Sequence, residues 1–261
     1  AAVNQRTVDC MAQLAGPADI VGLTMGSAQE PVRRAFPNHV VAEVGVGYEG
    51  VLADTHWCVE SEAWRHWLYG RRGISDGRWF DTVIPNSYDP AAYRVADQHE
   101  PFLLYMGRMT ARKGLGVVAE LARNHFVITA GQGGERVAHA THAGVVRGKA
   151  KIDLLASARA LICPTGYVEP FGGVAVEAML CGVPVITSPF GAFTETIVDG
   201  VTGFRCHTAA EFRAAAVAAG ELDPATIRRY AEDRFSLAAV ASRYDRWLGQ
   251  LGSLYDQGWY Q

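Results

Sequence analysis

The stretch PFLLYMGRMTARKGLGVVAELARNHFVITAGQGG, residues 101–134, contains a complete strand–helix–strand unit. Phe102-Leu103-Leu104-Tyr105-Met106 is a continuous apolar run, the mark of a strand covered on both faces. Leu115 to Arg123 reads as a helix with Thr110 as its expected cap, and His125 to Ala130 as the next strand, ended by Gly131-Gln132-Gly133-Gly134. The alternation continues with a strand near Ala143–Val146, a helix from Lys151 to Ala158 and a strand at Ala160–Cys163. A helix from about Gly173 to Leu180 is stopped by Gly182 and Pro184, followed by a strand at Pro184–Thr187 and a loop or short helix at Ala192–Val198. Apolar strands separated by helices must be joined in parallel, so the expected fold is α/β with a doubly wound sheet.

Working toward the N-terminus, Arg6–Leu14 reads as a helix, Asp19–Thr24 and His39–Val46 as strands, and Ser61–Tyr69 as an aromatic-rich helix. This is β/α material with only about three strands' worth of pattern. It opens in mid-helix without an initiating Met, so a reduced domain, or a chain lacking its natural beginning, is expected. The turn-rich Pro85-Asn86-Ser87-Tyr88-Asp89-Pro90 is the best linker. The expected division is residues 1–87, residues 88–240, and a C-terminal helix at 241–261 packing back on the first domain. From Asp223 onward the chain reads as helical, with Tyr230, Phe235, Val240, Tyr244, Trp247 and Leu251 as packing residues.

With 49% hydrophobic and 20% charged residues in 261, the chain can bury full cores, which excludes a disordered scaffold. No uncharged apolar run approaches the ~18 residues of a membrane-spanning helix. The N-terminus lacks the layout of a secretory signal, so a soluble, cytoplasmic protein is expected. The net charge of −3 provides no global attraction for nucleic acid or anionic lipid. The five cysteines are odd in number and without Cys-x-x-Cys spacing, which suggests buried free thiols rather than disulfides or zinc. Of the 24 basic residues only Lys113, Lys149 and Lys151 are lysine, so each lysine position deserves inspection.

Four features fall at the C-terminal ends of the expected parallel strands, where open α/β sheets bind ligands. Gly107-Arg108-Met109-Thr110-Ala111-Arg112-Lys113-Gly114 offers two cations, Arg108 and Lys113, beside helix-start amides, a site suited to a diphosphate. Glu169-Pro170-Phe171-Gly172-Gly173-Val174-Ala175-Val176-Glu177 places two carboxylates around a glycine pair that opens a helix. Carboxylates accept hydroxyl hydrogen bonds, so two of them suit two sugars, a ribose and a hexose. Gly131-Gln132-Gly133-Gly134 is not a dinucleotide fingerprint; Gly131 and Gln132 are possible cleft residues, and a tight strand connection explains the turn equally well. Glu195 stands as a possible cleft residue, followed by ordinary turn pairs at Asp199-Gly200 and Thr202-Gly203. Taken singly, each feature also has a plain structural reading as surface charge or helix cap.

The order and spacing of these motifs, from Val83-Ile84-Pro85-Asn86 through Gly182-Val183-Pro184-Val185 to Glu195 and Asp199-Gly200-x-x-Gly203, closely resemble the C-terminal domain of family 4 retaining glycosyltransferases over residues 83–206. That resemblance implies the GT-B fold, two Rossmann-like domains facing across a cleft, with residues 88–240 binding a nucleotide-sugar and residues 1–87 on the acceptor side. It implies Arg108 and Lys113 on the donor diphosphate and Glu177 on the ribose. Glu169 and the amides of Phe171, Gly172 and Gly173 would hold the transferred sugar, and the backbone at Val145 and Val146 would read the base. The first hundred residues depart from the family pattern, because no glycine-rich loop follows a first strand. Val44-Gly45-Val46-Gly47-Tyr48-Glu49-Gly50 is the nearest glycine-rich run, with Gly45, Tyr48 and Glu49 as possible acceptor-side residues. His39, His56 and His66 are candidates for the family's N-domain histidine, none preferred.

The implied activity is retaining transfer of a sugar from a nucleoside diphosphate, UDP expected, to an acceptor hydroxyl of unknown identity. No Asp-x-Asp pair is present for Mg²⁺, so no metal or other cofactor is expected, with Arg108 and Lys113 meeting the charge instead. A catalytically silent nucleotide-sugar-binding module is the alternative, and an epimerase or phosphorylase of the same fold a lesser one. A nucleic-acid acceptor stays open through a local pair such as Arg71-Arg72.

Overall fold

The computed structural model describes residues 2–253. Its contacts divide the chain into two compact units, one formed by Ala1–Asn86 and resuming at Val240, the other by Ser87–Ala239. The expected helix at 241–261 lies partly outside the described residues, beyond Ser253.

In the first unit, α1 (Ala2–Leu14), β1 (Val21–Leu23), α2 (Glu30–Ala35), β2 (Val41–Val46), β3 (His56–Val59), α3 (Glu62–Arg72) and β4 (Thr82–Val83) follow in order. The strands form one parallel sheet, β1-β2-β3-β4. That is one strand more than the sequence suggested. β3 and β4 are only four and two residues long, too short to carry a period. Ser61 caps α3 by accepting from Trp64 N, and Gly73 ends it in the left-handed conformation. One face of the sheet packs Val21, Leu23 and Val41 against Val32 and Phe36. The other packs Ala42, Cys58 and Ile84 against Val240, Trp247 and Leu251 of the last helix.

The second unit contains β5 (Glu100–Met106), α4 (Leu115–Leu121), β6 (Phe126–Ala130), β7 (Thr141–His142), α5 (Gly148–Ser157), β8 (Ala158–Cys163), α6 (Gly173–Leu180), β9 (Val185–Thr187), α7 (Phe193–Thr196), β10 (Gly203–Arg205), α8 (Ala209–Ala218) and α9 (Pro224–Phe235). The last helix, α10 (Leu237–Gly252), returns the chain to the first unit from Val240. The six strands are parallel in the order β10-β9-β8-β5-β6-β7. Alternate residues of β5 face opposite layers, as the strand period of two demands. Phe102, Leu104 and Met106 pack with α5, α6 and α9 through Leu155, Met179 and Ile227, while Leu103 and Tyr105 pack with α4 and α8 through Val118 and Phe212. Both faces are covered, the doubly wound arrangement expected.

Three local expectations are corrected. The strand expected near Ala143–Val146 is Thr141–His142, because pairing with β6 ends where Gly131 N reaches Gly144 O and the chain turns into a loop. The helix expected from Lys151 begins at Gly148. Thr110 does not cap α4; it precedes a single 3₁₀ turn, Ala111–Lys113, and Gly114 stands at the helix start. In the second unit, β10 and α8 were not anticipated. α8 is capped by a reciprocal pair, Thr208 accepting from Glu211 N and Glu211 accepting from His207 N. Cys58, Cys163, Cys181 and Cys206 are buried free thiols, whereas Cys10 is exposed on α1, which buries no residue.

Candidate functional site

The chain leaves β5 toward β6 and β7 on one side and returns at β8 toward β9 and β10 on the other. β5 and β8 are neighbours, so the loops after them flank the switch point of the sheet, where such folds open a crevice. The motifs singled out in the sequence occupy these two loops.

After β5, Gly107 N and Met109 N bond to Ala130 O and Gln132 O, so the loop lies along the glycine turn after β6. Gly131 is part of that close approach, since a side chain there would collide with the Gly107 carbonyl. Gln132 is exposed. Tyr105 Oη donates to Arg108 O at 2.7 Å, fixing the backbone of Arg108 while its side chain is left exposed. Among the described residues no carboxylate pairs with Arg108. Gly114 has φ +78°, and a Cβ there would overlap the Pro164 carbonyl, so this glycine brings the β5 loop against the β8 loop.

That approach joins two predicted residues. Lys113 Nζ lies 2.8 Å from Glu169 Oε2, with side chains only 19% and 12% exposed. Burial works to lower the lysine's pKa, but Glu169 and Tyr167 outweigh it and raise the value above the usual range. The ammonium also stands 4.8 Å from the centre of the Tyr167 ring, and Arg112 stands 4.9 Å from the same ring. Tyr167 was missed by sequence reasoning; an aromatic residue two positions before the glutamate was the available signal.

Glu169 is fixed from the other side by a parallel bridge to Gly191, with Ala192 N bonding to Glu169 O at 2.8 Å. Gly172, at φ +80°, precedes α6, and no side chain caps that helix. Phe171 is expected to offer its amide, not its ring, to the transferred sugar. It is 3% exposed, stacked near-parallel on Tyr88 and edge-on to Phe235, so only its backbone can face a ligand. Gly173 packs its α-carbon near the Tyr88 hydroxyl.

Glu177, one turn inside α6, is 14% exposed at its side chain and receives Lys151 Nζ on both oxygens at 2.6 Å. Tyr93 Oη donates to the same Oε1 at 3.2 Å, and burial together with Glu177 raises that phenol's pKa. Beside this pair a cavity of about 370 Å³ opens over the ends of β5 and β6, lined by Gly107, Gly131, Val145, Val146, Gly148 and Lys151 among others. Val145 and Val146 line this cavity from a loop and not from a strand. Lys151 is a second residue that sequence reasoning noted but did not assign. Glu195 is exposed on the short α7.

The acceptor-side expectations fare differently. Gly45 lies in β2, at a shift of register with φ +63°. Tyr48 donates to the fully buried Glu43 at 2.8 Å, and Glu49 stands 3.6 Å from Arg71, so both serve contacts of their own unit. Of the three histidines, His39 Nε2 meets Gly16 O at 3.1 Å, His56 packs edge-on to Phe80, and His66 Nδ1 meets Glu62 O within its own helix. Among the described residues no three His, Cys, Asp or Glu side chains gather in a metal-binding group, and no helix is long and apolar enough to cross a membrane.

A family model described as glycosyl transferases group 1 matches residues 93–233, more than half of the chain. The chain belongs to this family. Alpha-maltose-1-phosphate synthase of Mycobacterium tuberculosis is 30% identical to this group 1 member over 189 residues, 61% of this chain and 49% of that protein. D-inositol 3-phosphate glycosyltransferase of Kribbella flavida is 42% identical over 71 residues, 26% of this chain and 16% of that protein. This family member thus spans about half the length of the first curated relative it matches. Among solved structures, AviGT4, a glycosyltransferase involved in avilamycin A biosynthesis, superposes with a TM-score of 0.75 at 23% identity, over 96% of this chain and 79% of that one. Anabaena HepE in complex with UDP and glucose superposes with a TM-score of 0.76 at 17% identity, over 95% and 81%. These likenesses establish the fold as GT-B.

Proposed function

We propose that the protein transfers a sugar from a nucleoside-diphosphate sugar, UDP-linked, to an acceptor hydroxyl with retention of anomeric configuration. The observation that carries this reading is the pairing of Lys113 with Glu169 across the sheet's switch point, with Glu177 a short distance along the same loop and helix. Breaking an anomeric C–O bond places growing negative charge on the departing diphosphate and positive charge on the sugar ring. Cations held where that charge grows lower the barrier without a reorganisation cost. Arg108 and Lys113 fill that need, so no metal ion is required in this reading. Glu169 and the uncapped start of α6 orient the sugar, Glu177 accepts from the ribose, and the backbone at Val145 and Val146 borders the base. The acceptor oxygen then bonds to the anomeric carbon on the face the diphosphate leaves, as the anomeric C–O bond breaks and the acceptor's proton passes to the departing phosphate oxygen. HepE, a GT-B neighbour, has been solved with UDP and glucose, which supports the choice of UDP. The four buried thiols suit a reducing compartment, and we place the reaction in the cytoplasm.

The test is a thermal-shift screen of nucleotide-sugars followed by single-turnover assays with the labelled hit, since a ligand that binds only the folded protein raises its melting temperature. Release of the nucleoside diphosphate at a rate unaffected by a chelator, with an axial-to-axial or equatorial-to-equatorial product by NMR, is expected. Binding without turnover would leave only a nucleotide-sugar-binding module. Sugar 1-phosphate formed with inorganic phosphate would indicate a phosphorylase.

A further inference from the structure

Arginine is the habitual cation of this chain, and its three lysines have different surroundings. Lys149 is a surface residue, 87% exposed at its side chain, paired with Asp153 on the same helix. Lys113 belongs to the site already described. Lys151, in the first turn of α5, reaches a carboxylate on a different helix and also lines the cavity over β5 and β6.

We propose that Lys151 is a positioning residue for nucleotide recognition, locking the Glu177 carboxylate in the orientation that receives a ribose hydroxyl. The inference rests on the nucleotide-sugar reading and goes beyond it by naming what holds the ribose-reading acid. A carboxylate has about four acceptor sites. On Glu177, Oε1 takes the Lys151 ammonium and the Tyr93 hydroxyl, while Oε2 takes only the ammonium. One acceptor site on Oε2 is left for a ligand hydroxyl. Gripping both oxygens from one nitrogen fixes the plane of the carboxylate, so that site has a set direction. The ammonium also offsets the charge of Glu177, which would otherwise repel a diphosphate approaching along the same crevice. Because Lys151 forms part of the cavity wall with Val145 and Val146, it ties the position of the ribose-reading acid to the recess beside it.

The test is calorimetric binding of UDP to the wild-type chain, Lys151→Met, Glu177→Gln, the double variant and Lys151→Arg, with melting temperatures to report folding. Lys151→Gln replaces Lys151→Met in the comparison if the latter does not fold. Lys151→Met is expected to weaken UDP binding by about tenfold, and Glu177→Gln by a similar factor. The double variant should bind within about twofold of Glu177→Gln alone, because a residue acting through Glu177 has nothing left to position. Lys151→Arg should keep most of the affinity. Additive losses would mean that Lys151 touches the nucleotide itself, and an unchanged affinity in Lys151→Met would mean that the pair is only structural; either result overturns the proposal while nucleotide binding stands. Absence of UDP binding by the folded wild-type chain would overturn the nucleotide-sugar reading as well.

Discussion

Lys113 and Glu169 lie 56 residues apart in sequence and meet at 2.8 Å, joining the loops on either side of the switch point between β5 and β8. The contact is mostly buried and hydrogen-bonded, so removing one partner leaves a poorly solvated charge. Lys113→Met should destabilise the fold by about 1–3 kcal/mol, less than a fully buried pair because both side chains keep some water contact. Its larger effect should fall on turnover, since the charge it faces grows in the transition state. Urea titration and steady-state kinetics check both parts; a change confined to KM would contradict the role on the leaving group.

Gly114 brings those two loops together. Gly114→Ala introduces a methyl group against the Pro164 carbonyl in a backbone region that disfavours side chains. The expected loss is about 2–4 kcal/mol with weaker UDP binding, as Lys113 is displaced with the loop. Gly116, two residues on and inside α4, provides the contrast, because a Cβ added there would meet nothing within 4 Å. Gly116→Ala should stabilise by about 0.5–1 kcal/mol, read by the same denaturation curves.

The legibility of this chain follows its burial. The second unit's central strands β5, β8 and β9 are buried along most of their length, and long apolar runs such as Phe102–Met106 announce themselves. β3, β4 and β10 are two to four residues long and depend on neighbours for their register, which composition does not carry. Arg108, Lys113, Glu169 and Glu177 stand out in the sequence because glycines and strand ends mark their loops. Tyr167 and Lys151 were not assigned because their meaning comes from partners 54 positions earlier and 26 positions later, Lys113 and Glu177. The partners of Tyr48 and Glu49, Glu43 and Arg71, are likewise set by the fold and not by the glycine run in which the two residues stand.

Glu43 supplies a prediction in the first unit. Its side chain is fully buried in β2 and accepts from Tyr48 Oη at 2.8 Å, Leu52 N at 2.6 Å and Thr55 Oγ1 at 2.8 Å. Burial, and then Glu43 itself, raises the pKa of the Tyr48 phenol, which keeps it a donor at any ordinary pH. Tyr48→Phe and Thr55→Val should each cost about 1–3 kcal/mol, the penalty for leaving a buried acceptor short of donors. The double variant should depart from additivity, because both donors serve one carboxylate. Chemical denaturation of the four proteins measures the coupling.

Three histidines favour the folded state more at neutral pH than in mild acid. His56, His99 and His125 all have pKa values lowered by burial, with Arg78 adding to the effect at His56 and Arg159 at His125. His56 Nδ1 and His99 Nε2 are buried without a hydrogen-bond partner, so a proton placed there would gain nothing in exchange for its lost hydration. In the unfolded chain the same rings titrate near 6.5. The folded state therefore binds protons more weakly than the unfolded state. Stability from the neutral rings is complete above 6.5 and is lost as pH falls from there through the folded values. Melting temperature should decline steadily between about pH 7 and about pH 5, before the carboxylates begin to titrate. His99→Gln removes one of the three groups and should flatten the decline. A melting temperature independent of pH across that window would show that these rings take up protons as readily in the folded protein as in water.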